Sequence, residues 1–150
     1  MSAAITTLSD ITLITLEGCP ADIGYLASSL ETVAAMGVNI DMISMAPAHG
    51  DRTAFSITVQ DDDLGKILTF TRKLQESTGI RPIVSSGNYK IAVYDPGMKN
   101  TPGVAAAVFQ AASRAHADLR LISTSDVEIS FIVTAADYDA ALEELHQALT

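Results

Sequence analysis

The apolar positions of this chain switch between two spacings, and the switching runs through the same cycle twice. β-Branched and aromatic residues crowd 11–16 (ITLITL) and 89–94 (YKIAVY), which predicts a strand in each place. After a loop, apolar residues recur at helical spacing: Ile23, Leu26, Leu30 and Val33 in one cycle, Val104, Val108, Phe109 and Ala112 in the other. Gly37 stops the first of these helices, because the residue just past a helix end takes a left-handed conformation that glycine adopts without strain. VNIDMISM (38–45) and ADLRLIST (117–124) read as strands, and hairpins carry the chain into TAFSITV (53–59) and VEISFIV (127–133). A second helix closes each cycle, through Leu64, Ile67, Leu68, Thr71 and Leu74, and through Tyr138, Ala141, Leu142, Leu145 and Leu149.

The cycles superimpose. A shift of 79 places Gly24 on Gly103, Leu30 on Phe109, Ile40 on Leu119, Ile43 on Ile122 and Ser44 on Ser123. A longer hairpin in the first copy, APAHGDRT, changes the shift to 74, which places SITV (56–59) on SFIV (130–133) and Asp63 on Asp137. The first copy adds IRPIVSS (80–86) as a fourth strand, giving the order βαββαβ. The expected fold is α+β: two ferredoxin-like units, each an antiparallel sheet with helices on one face. The second copy ends after its last helix and lacks a fourth strand, which would leave an exposed sheet edge. Residues 3–8 (AAITTL) read as a strand that the first copy does not need, so the N-terminal strand is expected in the second unit. The expected domains are 9–88 and 89–150, the latter completed by 3–8.

VNIDMISM and ADLRLIST carry apolar residues in both alternating sets, Ile40 and Met42 against Ile43, and Leu119 and Leu121 against Ile122. Helices cover one face only, so the pattern predicts a partner on the other and self-association.

The stretch NTPGVAAAVF (100–109) reads as a turn into a helix, with Thr101 able to cap, Pro102 at the first helical position and Gly103 leaving the mouth bare. Gly24 is expected in the matching place. Backbone N–H groups at such a mouth suit a carboxylate, so a small anion is expected against residues 98–104.

Composition narrows the rest. The chain of 150 residues is 48% hydrophobic but only 5% aromatic, with no Trp, so its cores must be aliphatic and alanine-rich. A net charge of -9 opposes binding to nucleic acid or an anionic membrane surface. The single cysteine, Cys19, rules out an internal disulfide and a cysteine-based zinc site. His49, His116 and His146 have no i, i+4 pairing, so no metal is expected. No basic region or apolar stretch marks a signal peptide, no apolar run reaches transmembrane length, and a cytoplasmic protein is expected. No acid–base pair, nucleophile with its base, or phosphate-binding glycine loop with a lysine is visible, so no enzyme and no cofactor is expected.

GMKNTPGVAAAVFQAA followed by LRLISTSDVEISFIV and ALEELHQAL resembles the C-terminal regulatory region of aspartokinase, a tandem pair of ACT domains, and GVNIDMISM resembles the matching part of its first ACT domain. The resemblance covers nearly the whole chain; the LISTS turn followed by an acidic residue is its specific part. It implies the exchanged N-terminal strand and dimers that pair ACT domains side by side. It also implies an amino-acid effector held at their interfaces, with a kinase as a possible partner. The implied ligand-binding residues are Cys19, Asp22, Ile23, Gly24 and Met45 in the first unit. In the second they are Met98, Thr101, Gly103, Val104, Asp118, Leu119, Arg120, Ser123, Thr124 and Ser125.

Several positions depart from that pattern. Ala21 stands where an Asp is usual, Met45 where a Gln is, Asp118 where an Asn is, and Arg120 where an acidic residue helps hold a cationic effector. A cation at Arg120 disfavours lysine and favours a carboxylate. Cys19 has no Lys, Arg or His beside it in sequence, so it reads as a packing residue more readily than a reactive thiol. Asp61, Asp62 and Asp63 read as negative charge placed at a helix start.

Overall fold

The structure is a computed structural model that describes residues 3–149. Its elements are β1 (Ala4–Pro20), α1 (Ile23–Ala35), β2 (Ile43–Met45), β3 (Arg52–Gln60), α2 (Leu64–Thr78) and β4 (Arg81–Tyr94), then α3 (Val104–Arg114), β5 (Leu119–Thr124), β6 (Glu128–Val133) and α4 (Ala135–Leu149). Short 3-10 turns at Asp61–Asp63 and Pro96–Asn100 lead toward α2 and α3. The chain forms two compact units. One is Asp10–Ser86; the other combines the N-terminal segment through Ser9 with the chain from Gly87 onward. The backbone is left-handed at both crossing points, Asp10 (φ 59) and Gly87 (φ 73).

In the Asp10–Ser86 unit the sheet order is β2-β3-β1-β4, and the β1–β3 and β2–β3 pairs are antiparallel. In the other unit the order is β1-β4-β6-β5, with β4–β6 and β5–β6 antiparallel. Each is therefore an α+β, ferredoxin-like arrangement with its two helices packed on one face. Ile14, Leu16, Ile57 and Val59 meet Val33, Ile67 and Phe70 in the first core. Ile91, Val93, Ile129 and Phe131 meet Val108, Ala111, Ala141 and Leu145 in the second, and Ala3 and Ile5 pack against it.

Three details differ from the pattern-based reading. In α2 the buried residues are Ile67, Phe70 and Thr71, while Leu68 is turned out to solvent. Ile23, the first residue of α1, is 75% exposed, and the buried face of that helix begins further along, at Ser29 and Val33. The third concerns the two sets of apolar residues in 38–45 and 117–124. A bulge between Leu119 and Leu121 puts Leu119 opposite Val133 and Ile122 opposite Phe131, so both face the helices while Leu121 points away. Asp41 sits at the equivalent place in the first unit. The Thr58 carbonyl accepts from Asp41 N (3.0 Å), and Thr58 N donates to the Met42 carbonyl (3.0 Å), so two residues oppose one. β2 is accordingly short, and Ile40 and Ile43 share the helix side. Met42 and Leu121, like Ile11, Leu13 and Ile132, lie outside the helix-side clusters and are nonetheless buried within this single chain. The apolar residues left open are instead on the edge strands: Ile43, Met45 and Ile122.

Helix ends repeat between the units with one chemical difference. Past α1, Gly37 (φ 78) donates to the Ala34 carbonyl (2.9 Å) and Val38 N to Val33 (3.4 Å), a Schellman ending. Past α3 the same two bonds run from His116 to Ser113 (2.9 Å) and from Ala117 to Ala112 (3.0 Å), but the left-handed residue is His116 (φ 53). A side chain there costs about 1 kcal/mol or more relative to an unstrained conformation. His116→Gly should therefore raise the unfolding free energy by about 1 kcal/mol in denaturant titration; a loss of stability would show that the imidazole makes a compensating contact.

Candidate functional site

The junction of β1 and α1 builds a cleft. Asp22, extended at φ -136, caps α1: its Oδ1 accepts from Gly24 N (3.1 Å), and its carbonyl accepts from Tyr25 N (3.0 Å) and Leu26 N (3.3 Å). Gly24 is therefore inside the first turn of the helix, and a Cβ on it would come within 3.4 Å of Asp22 Oδ2. Opposite stands the 46–53 hairpin. Ala21 N donates to the Asp51 carbonyl (2.9 Å), Ala46 N to Ala54 (2.9 Å), and Thr53 Oγ1 to the Ala46 carbonyl (2.7 Å). The cleft has a volume of about 140 Å³ and is open to solvent on one side. Pro20, Ala21, Ile23, Tyr25 and Leu26 line it from the loop and helix, and Met45, Ala48, Thr53 and Phe55 from the strands and hairpin; Asp22 is the only ionisable carboxylate in the wall.

Of the expected residues in this unit, Asp22, Ile23 and Met45 share the cleft, whereas Cys19 and Gly24 do not line it. Cys19 is fully buried, its thiol directed at the Leu16 carbonyl (3.4 Å). Burial pushes that thiol above its ordinary pKa, with the Arg52 guanidinium partly opposing, so it is a packing group. Tyr25, Leu26, Ala48 and Phe55 were not among the expected residues. The spacing of Leu26 and the β-propensity of Phe55 marked them only as core, and nothing in the sequence brings the hairpin residue Ala48 to the helix mouth.

Tyr25 also borders a second groove of about 150 Å³ between α1 and α2, lined by Ser28, Ser29, Thr32, Phe70, Lys73, Leu74 and Ser77. Its hydroxyl is shut off from solvent and makes no hydrogen bond of good geometry, with the Ser29 and Thr78 hydroxyls beside it. Burial raises the Tyr25 pKa, and the neighbouring Cys19 adds to the rise; Ser29 and Thr78 offset part of it.

The second unit places its candidates along the start of α3, on β5 and at the β5–β6 turn. Thr101 does not cap α3, and Pro102 is not its first residue. Thr101 ends the preceding 3-10 turn, donating to Met98 (3.3 Å), and Gly103 (φ 94) is the N-cap with no side chain serving the first turn. Gly24 and Gly103 thus align in sequence but differ in role, one within a self-capped helix and the other a left-handed cap. Val104 opens α3, and Met98 packs against the core. Asp118 N donates to Asp137 Oδ2 (2.9 Å), the Asp118 carboxylate pairs with Arg120 (2.7 Å), and Leu119 packs on the core. The positive charge at Arg120 thus has a neighbouring carboxylate, which reduces its attraction for a ligand anion. Ser123 and Thr124 lie in β5 opposite Ser130 and Ile129. Ser125 shapes the turn, its Oγ accepting from Val127 N and Glu128 N (3.2 Å each).

Among the described residues no group of His, Cys, Asp or Glu is arranged to hold a metal ion, and no helix is long and apolar enough to cross a membrane.

Comparison with known proteins converges on one family. Residues 91–149 match the ACT domain. The chain superimposes on the regulatory subunit of aspartate kinase from Thermus flavus with a TM-score of 0.88, at 30% identity, covering 99% of each chain. It also superimposes on a chain of a structure of aspartokinase alpha and beta subunits with a TM-score of 0.84, at 25% identity, covering 99% of this chain and 98% of that one. An aspartokinase from Thermus thermophilus is 31% identical over 153 residues, which take in 99% of this chain and 38% of that protein. The chain spans about a third of the length of the curated aspartokinases it matches. With two βαββαβ-type units and near-complete overlap with a 30%-identical regulatory subunit, the chain belongs to the ACT-domain family, among the regulatory regions of aspartate kinase.

Proposed function

We propose that this chain is a non-catalytic sensor that binds a free amino acid and passes its occupancy to an aspartokinase catalytic part. The observation that carries this reading is the cleft at the mouth of α1, a concave apolar site with one carboxylate on an ACT scaffold. Each compact unit is one ACT domain, the second completed by residues 3–8. The open edge residues Ile43, Met45 and Ile122 suit pairing of two copies in a homodimer in the cytoplasm. Binding shifts a conformational equilibrium only by the ligand's preference for one state, so occupancy must be felt differently by active and inactive kinase. Thermal unfolding of the full chain against each free amino acid tests the reading. A ligand at 100 times its Kd should add about 2.7 kcal/mol of stability. No stabilisation by any of them would leave the chain a ligand-free assembly module.

A second reading places the chain in trans, as a separate subunit. It is favoured by the 99% coverage of a chain described as a regulatory subunit. Co-purification with an aspartokinase catalytic polypeptide supports it, and failure to associate under conditions where both are folded removes it.

A further inference from the structure

We infer that the α1-mouth cleft selects a free amino acid with an uncharged aliphatic side chain, held by its ammonium on Asp22, and rejects cationic and anionic side chains. The inference rests on the effector-binding reading above and names the ligand class. Beside Asp22 the cleft wall is mostly apolar, with Ile23, Leu26, Met45, Ala48 and Phe55. Ile23 and Met45 are 75% and 55% exposed, so this wall presents apolar surface that an aliphatic side chain would cover. An aspartate carboxylate placed against it would lose water and gain no partner, and a lysine ammonium would gain at most the Thr53 hydroxyl oxygen. Two polar residues besides Asp22 line the wall: Tyr25, whose hydroxyl is shut off from solvent beside Ser29 and Thr78, and Thr53, whose hydroxyl donates to the Ala46 carbonyl and keeps only its acceptor side.

The polar end is equally selective. A carboxylate would seek the first-turn N–H groups of α1, but those of Gly24, Tyr25 and Leu26 already donate to Asp22, leaving at most that of Ile23. The charge on Asp22 repels an anion there, and among the described residues no basic side chain lines the cleft. Asp22 spends Oδ1 on Gly24 N, leaving Oδ2 for an ammonium. A ligand therefore enters with its ammonium at Asp22 and its aliphatic chain toward Met45 and Phe55, while its carboxylate stays in water.

Calorimetry on the full chain tests this with leucine, valine, methionine, lysine, aspartate, leucinamide and 4-methylpentanoate. Leucine, valine or methionine should bind at least tenfold more tightly than lysine or aspartate. Leucinamide, which keeps the ammonium, should stay within about threefold of leucine, and 4-methylpentanoate, which lacks it, should lose more than tenfold. Asp22→Asn, still able to cap α1, should weaken leucine about tenfold without lowering the melting temperature appreciably. Lysine or aspartate binding as well as leucine, or undiminished leucine binding by Asp22→Asn, would overturn the selectivity and leave the effector reading standing. Binding by no amino acid would remove both.

Discussion

Phe131→Ala should lower the unfolding free energy by about 3–5 kcal/mol, the largest loss expected from any single truncation in the second unit. Phe131 is fully buried on β6, opposite Ile91 on one side and Ile122 on the other. Its ring lies at a tilt of 51° to Phe109, centroids 6.2 Å apart. Above it are Ala111 of α3 and Ala141 of α4, both fully buried. Short side chains let these helices sit close to the sheet, and for that reason they have nothing to extend into a void. With no Trp and only four Phe in the chain, this ring fills space that no neighbour can take over. A loss of that size is a large part of a domain's usual 5–15 kcal/mol, and it corresponds to roughly 10 °C in melting temperature for a chain of this length. Phe131→Leu should recover more than half of it. Ile122→Ala, at a residue already 44% exposed on an edge strand, should cost under about 1 kcal/mol. A cost for Phe131→Ala no larger than that of Ile122→Ala would mean that α3 and α4 settle onto the sheet after all.

The element cycle was legible because each helix and strand depends on local spacing. Val33, Ile67, Val108 and Leu145 are buried where a 3.6-residue period puts them. The assignment of faces in 38–45 and 117–124 failed because a bulge reverses the alternation, and neither Asp41 nor Arg120 announces one. The bulge is fixed by hydrogen bonds to the neighbouring strand, which a one-dimensional pattern does not contain. The start of α3 failed for a related reason. Thr101 and Pro102 have the chemistry of a cap and a first residue, but the 3-10 turn at Pro96–Asn100 claims Thr101 first, and the helix waits for Gly103.

The site was legible at its loop and illegible at its walls. Asp22, Ile23 and Met45, which line the candidate cleft, were named because the resemblance to aspartokinase regulatory regions marks the β1–α1 loop and the following strand end. Ala48 and Phe55 were not, since the hairpin's position over the helix mouth is set by Thr53 and Ala21 bonding across from Ala46 and Asp51. At the α1 mouth, which matches in sequence the 98–104 loop where an anion is expected, the Asp22 carboxylate opposes one. The sequence shows Asp22 two residues before Gly24 but does not show that its carboxylate turns back to accept from the Gly24 N–H.

The edge strand that carries Met45 into the cleft depends on one buried hydroxyl, so Thr58→Val should cost about 1–3 kcal/mol and weaken ligand binding together. The bulge gives the Thr58 carbonyl to Asp41 N and leaves Met42 N without a backbone acceptor in the ladder. Thr58 Oγ1 takes it at 2.9 Å, and both Thr58 and Met42 are buried. Valine has nearly the same shape and removes only that acceptor, stranding a buried N–H that water cannot reach. The repeat offers an internal contrast, since the aligned residue in the second unit is Ile132 and its bulge is held without a hydroxyl at this place. Relief of the stranded N–H would come from loosening 38–42, which moves β2 and with it Met45 away from Ile23. Faster hydrogen exchange at Met42 and Ile43, a lower melting temperature and weaker amino-acid binding should therefore appear as one effect, and Thr58→Ser should restore the exchange protection. Destabilisation with ligand affinity untouched would separate the bulge from the cleft and show that the hairpin bonds at Thr53 hold that wall alone.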